Sequence, residues 1–162
     1  MVEVAKGEVE DVLQAVQLMH EVPEADAERI ALVGASHGAL ISFLAAARNP
    51  NIKAIVCAYG VMDIYRLWDY LKASGKLGED DPPRRTYGKG PEPRPTSFAI
   101  RNALPVVDKI QCPVLVLQGK KDDIVPYQQA QYLEEAMRKA NKEIQVELYP
   151  DCLHGFLVYA PF

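Results

Sequence analysis

Short apolar runs recur along the chain at intervals that leave room for a helix between them. Arg29-Ile-Ala-Leu-Val33, Ile52-Lys-Ala-Ile-Val-Cys-Ala-Tyr59 and Cys112-Pro-Val-Leu-Val-Leu-Gln118 read as buried strands, being short, apolar and bounded by breakers. Ile144-Gln-Val-Glu-Leu-Tyr149 alternates apolar and polar, as an edge strand does. The helical period fills the gaps. Val9, Val12, Leu13, Val16 and Met19 share one face of a helix predicted over Glu8 to Glu21 and ended by Pro23. Ala39 to Arg48 is an Ala/Leu-rich helix closed by Asn49-Pro50-Asn51, and Met62 to Leu71 suits another. Tyr127 to Asn141 carries Ala130, Leu133, Ala136, Met137 and Ala140 near one face. The alternation predicts an α/β protein: a mostly parallel sheet of about four strands, flanked by helices and joined by right-handed crossovers.

One region breaks the pattern. Within residues 64–105, Gly75 to Ser97 gathers Gly75, Gly78, Pro82, Pro83, Gly88, Gly90, Pro91, Pro93 and Pro95. An irregular excursion this long in a compact domain is read as a lid over a site. The 162 residues are otherwise expected to form one domain.

Composition narrows the function classes. With a formal net charge of -4, 25% charged residues and no dense basic run, the chain is not expected to bind nucleic acid or an anionic membrane. No apolar run approaches the ~20 residues of a membrane helix, and the acidic N-terminus lacks the apolar core of a signal peptide. Cys57, Cys112 and Cys152 are odd in number and lack metal-ligand spacing. They are read as buried free thiols of a cytoplasmic protein, with no cofactor and no metal.

The chemistry gathers at the strand ends. Gly34-Ala-Ser-His-Gly38 is a G-x-S-x-G between the first apolar strand and the Ala/Leu-rich helix, the context of a nucleophile elbow. Both glycines are expected to relieve crowding where strand and helix meet. Ser36 would stand above the sheet at the positive end of the following helix. A serine hydroxyl needs a base, and the base needs a carboxylate to hold its tautomer. His20 falls within the first helix and reads as a solvated or core-edge side chain. His37 is too close in sequence to swing onto Ser36, but its backbone N–H is the expected oxyanion donor. His154 precedes Gly155 just beyond the last strand, so its ring could reach over the sheet. Gly119-Lys-Lys-Asp122-Asp123 follows the third strand directly, and either carboxylate could serve. The order Ser, Asp, His along the chain is that of α/β hydrolases.

These residues together resemble the C-terminal part of the catalytic domain of prolyl-oligopeptidase-type α/β hydrolases, such as acylaminoacyl peptidases and their esterase relatives. The resembling stretches are Glu24 to Gly38, Tyr59-Gly-Val-Met-Asp63, Pro113 to Pro126 and Leu153-His-Gly-Phe156. They cover nearly the whole chain outside the excursion. The resemblance implies Ser36 as nucleophile, Asp122 as acid and His154 as base of a serine hydrolase. Small acyl esters, or short peptide or acyl-amino substrates, would be cleaved through an acyl-enzyme. Ala39 departs from the second glycine that often follows the elbow. The implied fold has about eight strands, with the elbow after the fifth. The chain would then be a truncated α/β-hydrolase domain lacking the loop that gives the second oxyanion N–H. Arg29–Val33 becomes an exposed sheet edge, expected to be covered in a homo-oligomer. The same truncation also suits a non-catalytic remnant, or half of a split hydrolase, kept as an interaction module.

Overall fold

The computed structural model describes residues 5, 7–79, 84, 87, 90–91 and 95–159. Strands β1 Ala31–Ala35, β2 Ala54–Ala58, β3 Val114–Gly119 and β4 Ile144–Tyr149 form one sheet in chain order. Every neighbouring pair is parallel. The helices are α1 Gly7–Leu18, α2 His37–Ala46, α3 Ile64–Ala73, α4 Pro95–Ala99, α5 Gln128–Lys139 and α6 Phe156–Tyr159. This is the expected α/β arrangement. Much of the expected lid, residues 80–83, 85–86, 88–89 and 92–94, lies outside the described residues. Of the rest of 64–105, Ile64–Ala73 and Pro95–Ala99 are helical.

Several boundaries shift for local reasons. The strand expected at Arg29–Val33 runs instead from Ala31 to Ala35, because pairing with β2 continues up to Ala35 opposite Ala58. The first helix stops at Leu18, and His20 sits exposed in a 3-10 turn, Met19–Glu21, rather than within the helix. The third helix starts at Ile64 because Asp63 caps it, accepting from the Tyr65 and Arg66 N–H groups at 3.0 and 3.2 Å. Cys57 and Cys112 are buried as expected, whereas Cys152 is half-buried.

The main core explains why α2 is apolar almost all round. Ala39, Leu40, Ile41, Phe43, Ala45 and Ala46 are all buried. One side of α2 packs on β1 and β2, and another is covered by α1. Val9 of α1, Ile55 and Cys57 of β2, Val114 and Val116 of β3, and Leu133 and Met137 of α5 complete this core. A second cluster brings Val61, Ile64, Leu67, Trp68 and Leu71 together with Tyr87, Phe98 and Val125. The two sheet edges differ. β4 alternates between a buried Ile144 and exposed Gln145, Glu147 and Tyr149. β1 presents Val33, 74% exposed, at its centre.

A buried glutamine ties the connection after β2 to α5. Gln129 is fully buried, and its Oε1 accepts from the Met62 and Asp63 N–H groups at 2.9 and 2.7 Å. Its Nε2 donates to the Asp63 carbonyl at 3.1 Å. Gln129→Met keeps the volume but strands two buried N–H groups, each costing about 1–3 kcal/mol. Urea unfolding is expected to show a loss of about 3 kcal/mol, against less than about 0.5 kcal/mol for Gln131→Met on the exposed face of the same helix.

Candidate active site

The turn between β1 and α2 is tight enough to dictate its own sequence. A side chain at Gly34 would put its Cβ 2.2 Å from the Gly38 carbonyl oxygen. Glycine is therefore required at 34. At Gly38 the position of a Cβ is open, with nothing within 4 Å. The expectation that both glycines relieve crowding is corrected: Gly34 alone does. Between them Ser36 holds φ 53 and ψ -120, a conformation that costs a non-glycine residue about 1–3 kcal/mol. The Ser36 N–H donates to the Ala58 carbonyl at 2.9 Å, which anchors the strained turn to β2.

Two further strand ends bring the partners. β3 leads into the loop holding Asp122, and β4 into the loop holding His154. Gly119 lets these loops touch, since a Cβ there would lie 2.3 Å from the Cys152 carbonyl oxygen. The Lys121 N–H donates to that same carbonyl at 3.1 Å. Gly155, at φ 78, turns the chain straight after His154. The result is a line of three side chains. His154 Nε2 lies 3.0 Å from Ser36 Oγ, and His154 Nδ1 lies 2.7 Å from Asp122 Oδ2. A carboxylate only accepts, so Nδ1 carries the proton and the Nε2 lone pair faces the serine O–H. In that tautomer the imidazole can take the serine proton.

Asp122 is held from all sides. Its side chain is fully buried. Oδ1 accepts from the Ile124 and Val125 N–H groups at 3.0 and 2.8 Å, and Oδ2 from Gln118 Nε2 at 3.2 Å as well as from His154. Four donors fill the acceptor capacity of an ionised carboxylate. A polar turn and a partner for histidine are thus the same residue, one oxygen for each. Asp123, the alternative left open by spacing, points elsewhere. It pairs with Lys76 at 2.6 Å, and that hydrogen bond holds its carboxyl below the usual range.

Other residues around the site carry no local sequence signal. Gln118 is fully buried beside Asp122. Its Nε2 also donates to the Gly119 and Val125 carbonyls, both at 3.1 Å. Its Oε1 has no partner among the described residues. Flipping the amide would turn that oxygen against three acceptors, so the orphan is the cost of aiming N–H at the carboxylate. Tyr59, at φ 40, packs its ring edge-on against His154 with centroids 4.9 Å apart. Burial raises its phenol, and Tyr159 and Asp122 add to the effect. Burial likewise pushes the Cys57 thiol up to about 12, with Cys112 contributing, so Cys57 is a packing residue. Among the described residues, no group of His, Cys, Asp or Glu converges as metal ligands, and no helix is long and apolar enough to cross a membrane. Cavities of about 550 and 340 Å³ lie away from Ser36, one beside Trp68 and one beside Leu13.

The dienelactone hydrolase family profile matches residues 1–161. The chain belongs to the dienelactone hydrolase family. Within curated proteins it is 27% identical over 148 residues to YtmA, an uncharacterized peptidase of Bacillus subtilis (strain 168), covering 91% of this chain and 56% of that protein. It is also 27% identical over 165 residues to acylamino-acid-releasing enzyme 2 of Oryza sativa subsp. japonica, covering 93% of this chain and 20% of the other. The chain therefore spans about half or less of these relatives. The acylamino-acid-releasing enzyme bears out the resemblance to acylaminoacyl peptidases. Among solved structures, a puromycin-hydrolyzing peptidase of Mycobacterium tuberculosis superposes with a TM-score of 0.79 at 24% identity, over 94% of this chain and 22% of the other. That likeness concerns the fold, which is the α/β-hydrolase fold.

The two glycines of the elbow separate cleanly by mutation. Gly34→Ala is expected to cost about 3 kcal/mol, roughly 10 °C in Tm, because strand and helix must part. Gly38→Ala, in open space on α2, is expected to keep or slightly raise Tm. Thermal unfolding of the two variants checks both.

Proposed function

We propose that this member of the dienelactone hydrolase family is a serine hydrolase that cleaves small acyl esters, with short peptide or acyl-amino bonds as a second substrate class. One observation carries the reading: His154 bridges Ser36 Oγ at 3.0 Å and Asp122 at 2.7 Å, in the tautomer that leaves a lone pair toward the serine. Ser36 Oγ attacks the acyl carbon as its proton passes to His154 Nε2, and the carbonyl oxygen becomes the oxyanion. The His37 N–H, at the start of α2, donates to that oxyanion, with the helix dipole adding to it. Collapse expels the alcohol, which takes the proton from His154 and leaves an acyl-Ser36. Water, deprotonated by His154, then releases the acid. Asp122 orients His154 and stabilises the imidazolium. The family's name favours ester bonds, and the peptidase relatives favour the second class. The free thiols suit a reducing cytoplasmic setting.

A fluorophosphonate probe with mass spectrometry tests the nucleophile. The expected adduct is on Ser36, lost in Ser36→Ala; absence of any adduct on the wild type would sink the reading. Asp122→Asn is expected to lower kcat on an activated ester by about 10⁴-fold, since the imidazole loses its tautomer. If the His37 N–H is the single oxyanion donor, wild-type turnover is expected to sit about 10²- to 10³-fold below that of two-donor esterases; rates typical of full-length esterases would show that a partner protomer or a side chain supplies the second.

The exposed edge at β1 also calls for a partner. β1 pairs with β2 alone among the described residues, and an apolar strand with an open edge invites strand pairing. We propose a homo-oligomer, most simply a twofold dimer, covering this edge. Solution scattering is expected to give twice the mass of 18.0 kDa, and a monodisperse monomer would refute the dimer. The same exposed edge, with the chain spanning 56% of YtmA, favours a second reading. In it, the chain is one part of a split hydrolase, or a non-catalytic remnant acting as an interaction module. Labelling of Ser36 only after a second polypeptide is added would favour the split form.

A further inference from the structure

The side chain of His37 is occupied, although only its backbone N–H has a part in the proposed reaction. His37 Nε2 lies 3.2 Å from Glu8 Oε2 of α1, and His37 Nδ1 lies 3.4 Å from the Tyr87 hydroxyl of the excursion. The same Glu8 oxygen accepts from the Ala5 N–H at 2.7 Å. Tyr87 is buried, with its ring edge-on to His37 at a centroid distance of 6.1 Å. Arg101, also buried, places its positive charge near both Glu8 and Tyr87.

Chemistry assigns the protons. Glu8 can only accept as a carboxylate, so His37 Nε2 carries hydrogen and donates. Burial by itself would raise the Glu8 carboxyl. The Ala5 N–H, His37 and Arg101 outweigh it and hold the carboxyl below its usual range. With Nε2–H engaged, the neutral ring presents a lone pair at Nδ1, and the Tyr87 O–H donates to it. Burial pushes the Tyr87 phenol up to about 12 despite Arg101, so it remains a donor. Carboxylate, imidazole and hydroxyl thus form a second chain running α1, elbow, excursion. Its middle member adjoins Ser36.

We propose that Glu8–His37–Tyr87 is a positioning relay that ties Glu8 of α1 and Tyr87 to the elbow and fixes the direction of the His37 N–H. The relay rests on the reading of that N–H as oxyanion donor. A peptide plane fixed at both ends of its side chain cannot rock away from the developing charge, and misplacement of about 1 Å costs on the order of 10²-fold in rate. Neither Glu8 nor Tyr87 touches the reacting atoms. Their effect belongs in kcat, with KM little changed.

Two measurements on the whole chain test it. Long-range ¹H–¹⁵N correlation of the histidine rings is expected to show His37 as the Nε2–H tautomer and His154 as the Nδ1–H tautomer. In Glu8→Ala the His37 ring is expected to average between tautomers. A wild-type His37 already averaging would overturn the relay, and this readout holds even if Ser36 fails to label. Kinetics on an activated ester supply the second. Glu8→Ala is expected to lower kcat about tenfold and Tyr87→Phe about threefold, with KM within about twofold of wild type. Glu8→Gln, which keeps a carbonyl acceptor, is expected to recover kcat to within about threefold of wild type. The double variant Glu8→Ala/Tyr87→Phe is expected to be no slower than Glu8→Ala, because the two act through one ring. Multiplicative losses, an effect confined to KM, or no recovery by glutamine would each overturn the proposal.

Discussion

The missing Cβ at Gly34 is the constraint on which the rest of the structure turns. The β1 and α2 backbones meet so closely that an added methyl would sit 2.2 Å from the Gly38 carbonyl. That approach leaves Ser36 a strained conformation at φ 53 and lifts its hydroxyl off the sheet. Strain of this kind persists only when its surroundings over-determine it. Here the Ser36 N–H is tied to β2, and α2 is buried between the sheet and α1. A second close approach, Gly119 against the Cys152 carbonyl, sets the height of the loop that carries His154. The 3.0 Å between Ser36 and His154 is thus fixed by backbone packing at two glycines, and only then by the hydrogen bond itself.

Which features were legible from sequence follows from how local their causes are. Four strand-like runs with helical segments between them specify a mostly parallel α/β sheet: β2 and β3 leave short apolar runs and β4 an alternating one, while the strand order is seen only in the structure. Ser36, the Asp122/Asp123 pair and His154 are visible because each follows such a run, where loops gather at one end of a parallel sheet. Spacing left Asp122 and Asp123 level, and the resemblance favoured Asp122. Geometry separates them by burial, since Asp122 is fully enclosed and Asp123 reaches out to Lys76. Boundaries moved by about two residues where a cap or a continued ladder decided them, at Asp63 and Ala35. Gln129, Gln118 and Tyr59 were not read as site-supporting residues. A buried glutamine bonding to backbone 66 residues away leaves no periodic trace. The same holds for Glu8 and Tyr87, which meet His37 across separations of 29 and 50 residues.

The line of three side chains and the open edge are separable features of one sheet. Ser36 follows β1, Asp122 follows β3 and His154 follows β4, so all three are positioned by strands within this chain. The face of β1 away from β2 contributes none of them. Covering Val33 therefore bears on association and stability, whereas the number of oxyanion donors bears on rate. A second copy paired along β1 would satisfy its open backbone edge without supplying a donor near Ser36, unless its loops also reach the top of the sheet.

Two carboxylate–imidazole–hydroxyl chains stand side by side at the elbow, built from the same groups and suited to different ends. In Asp122–His154–Ser36 the carboxylate holds Nδ1, the distances are 2.7 and 3.0 Å, and the terminal hydroxyl belongs to a strained, half-exposed serine. In Glu8–His37–Tyr87 the carboxylate holds Nε2, the distances are 3.2 and 3.4 Å, and the terminal hydroxyl is a buried phenol pushed up to about 12. The first hydroxyl can lose its proton to the ring in front of an incoming carbonyl. The second stays protonated and can only hold the ring still. What would separate a reacting chain from a holding one here is the access and strain of the hydroxyl, not the identity of the acid or the base. Adjacent residues can therefore carry both: in the proposed reaction Ser36 is the group that moves its proton and His37 the group that is held.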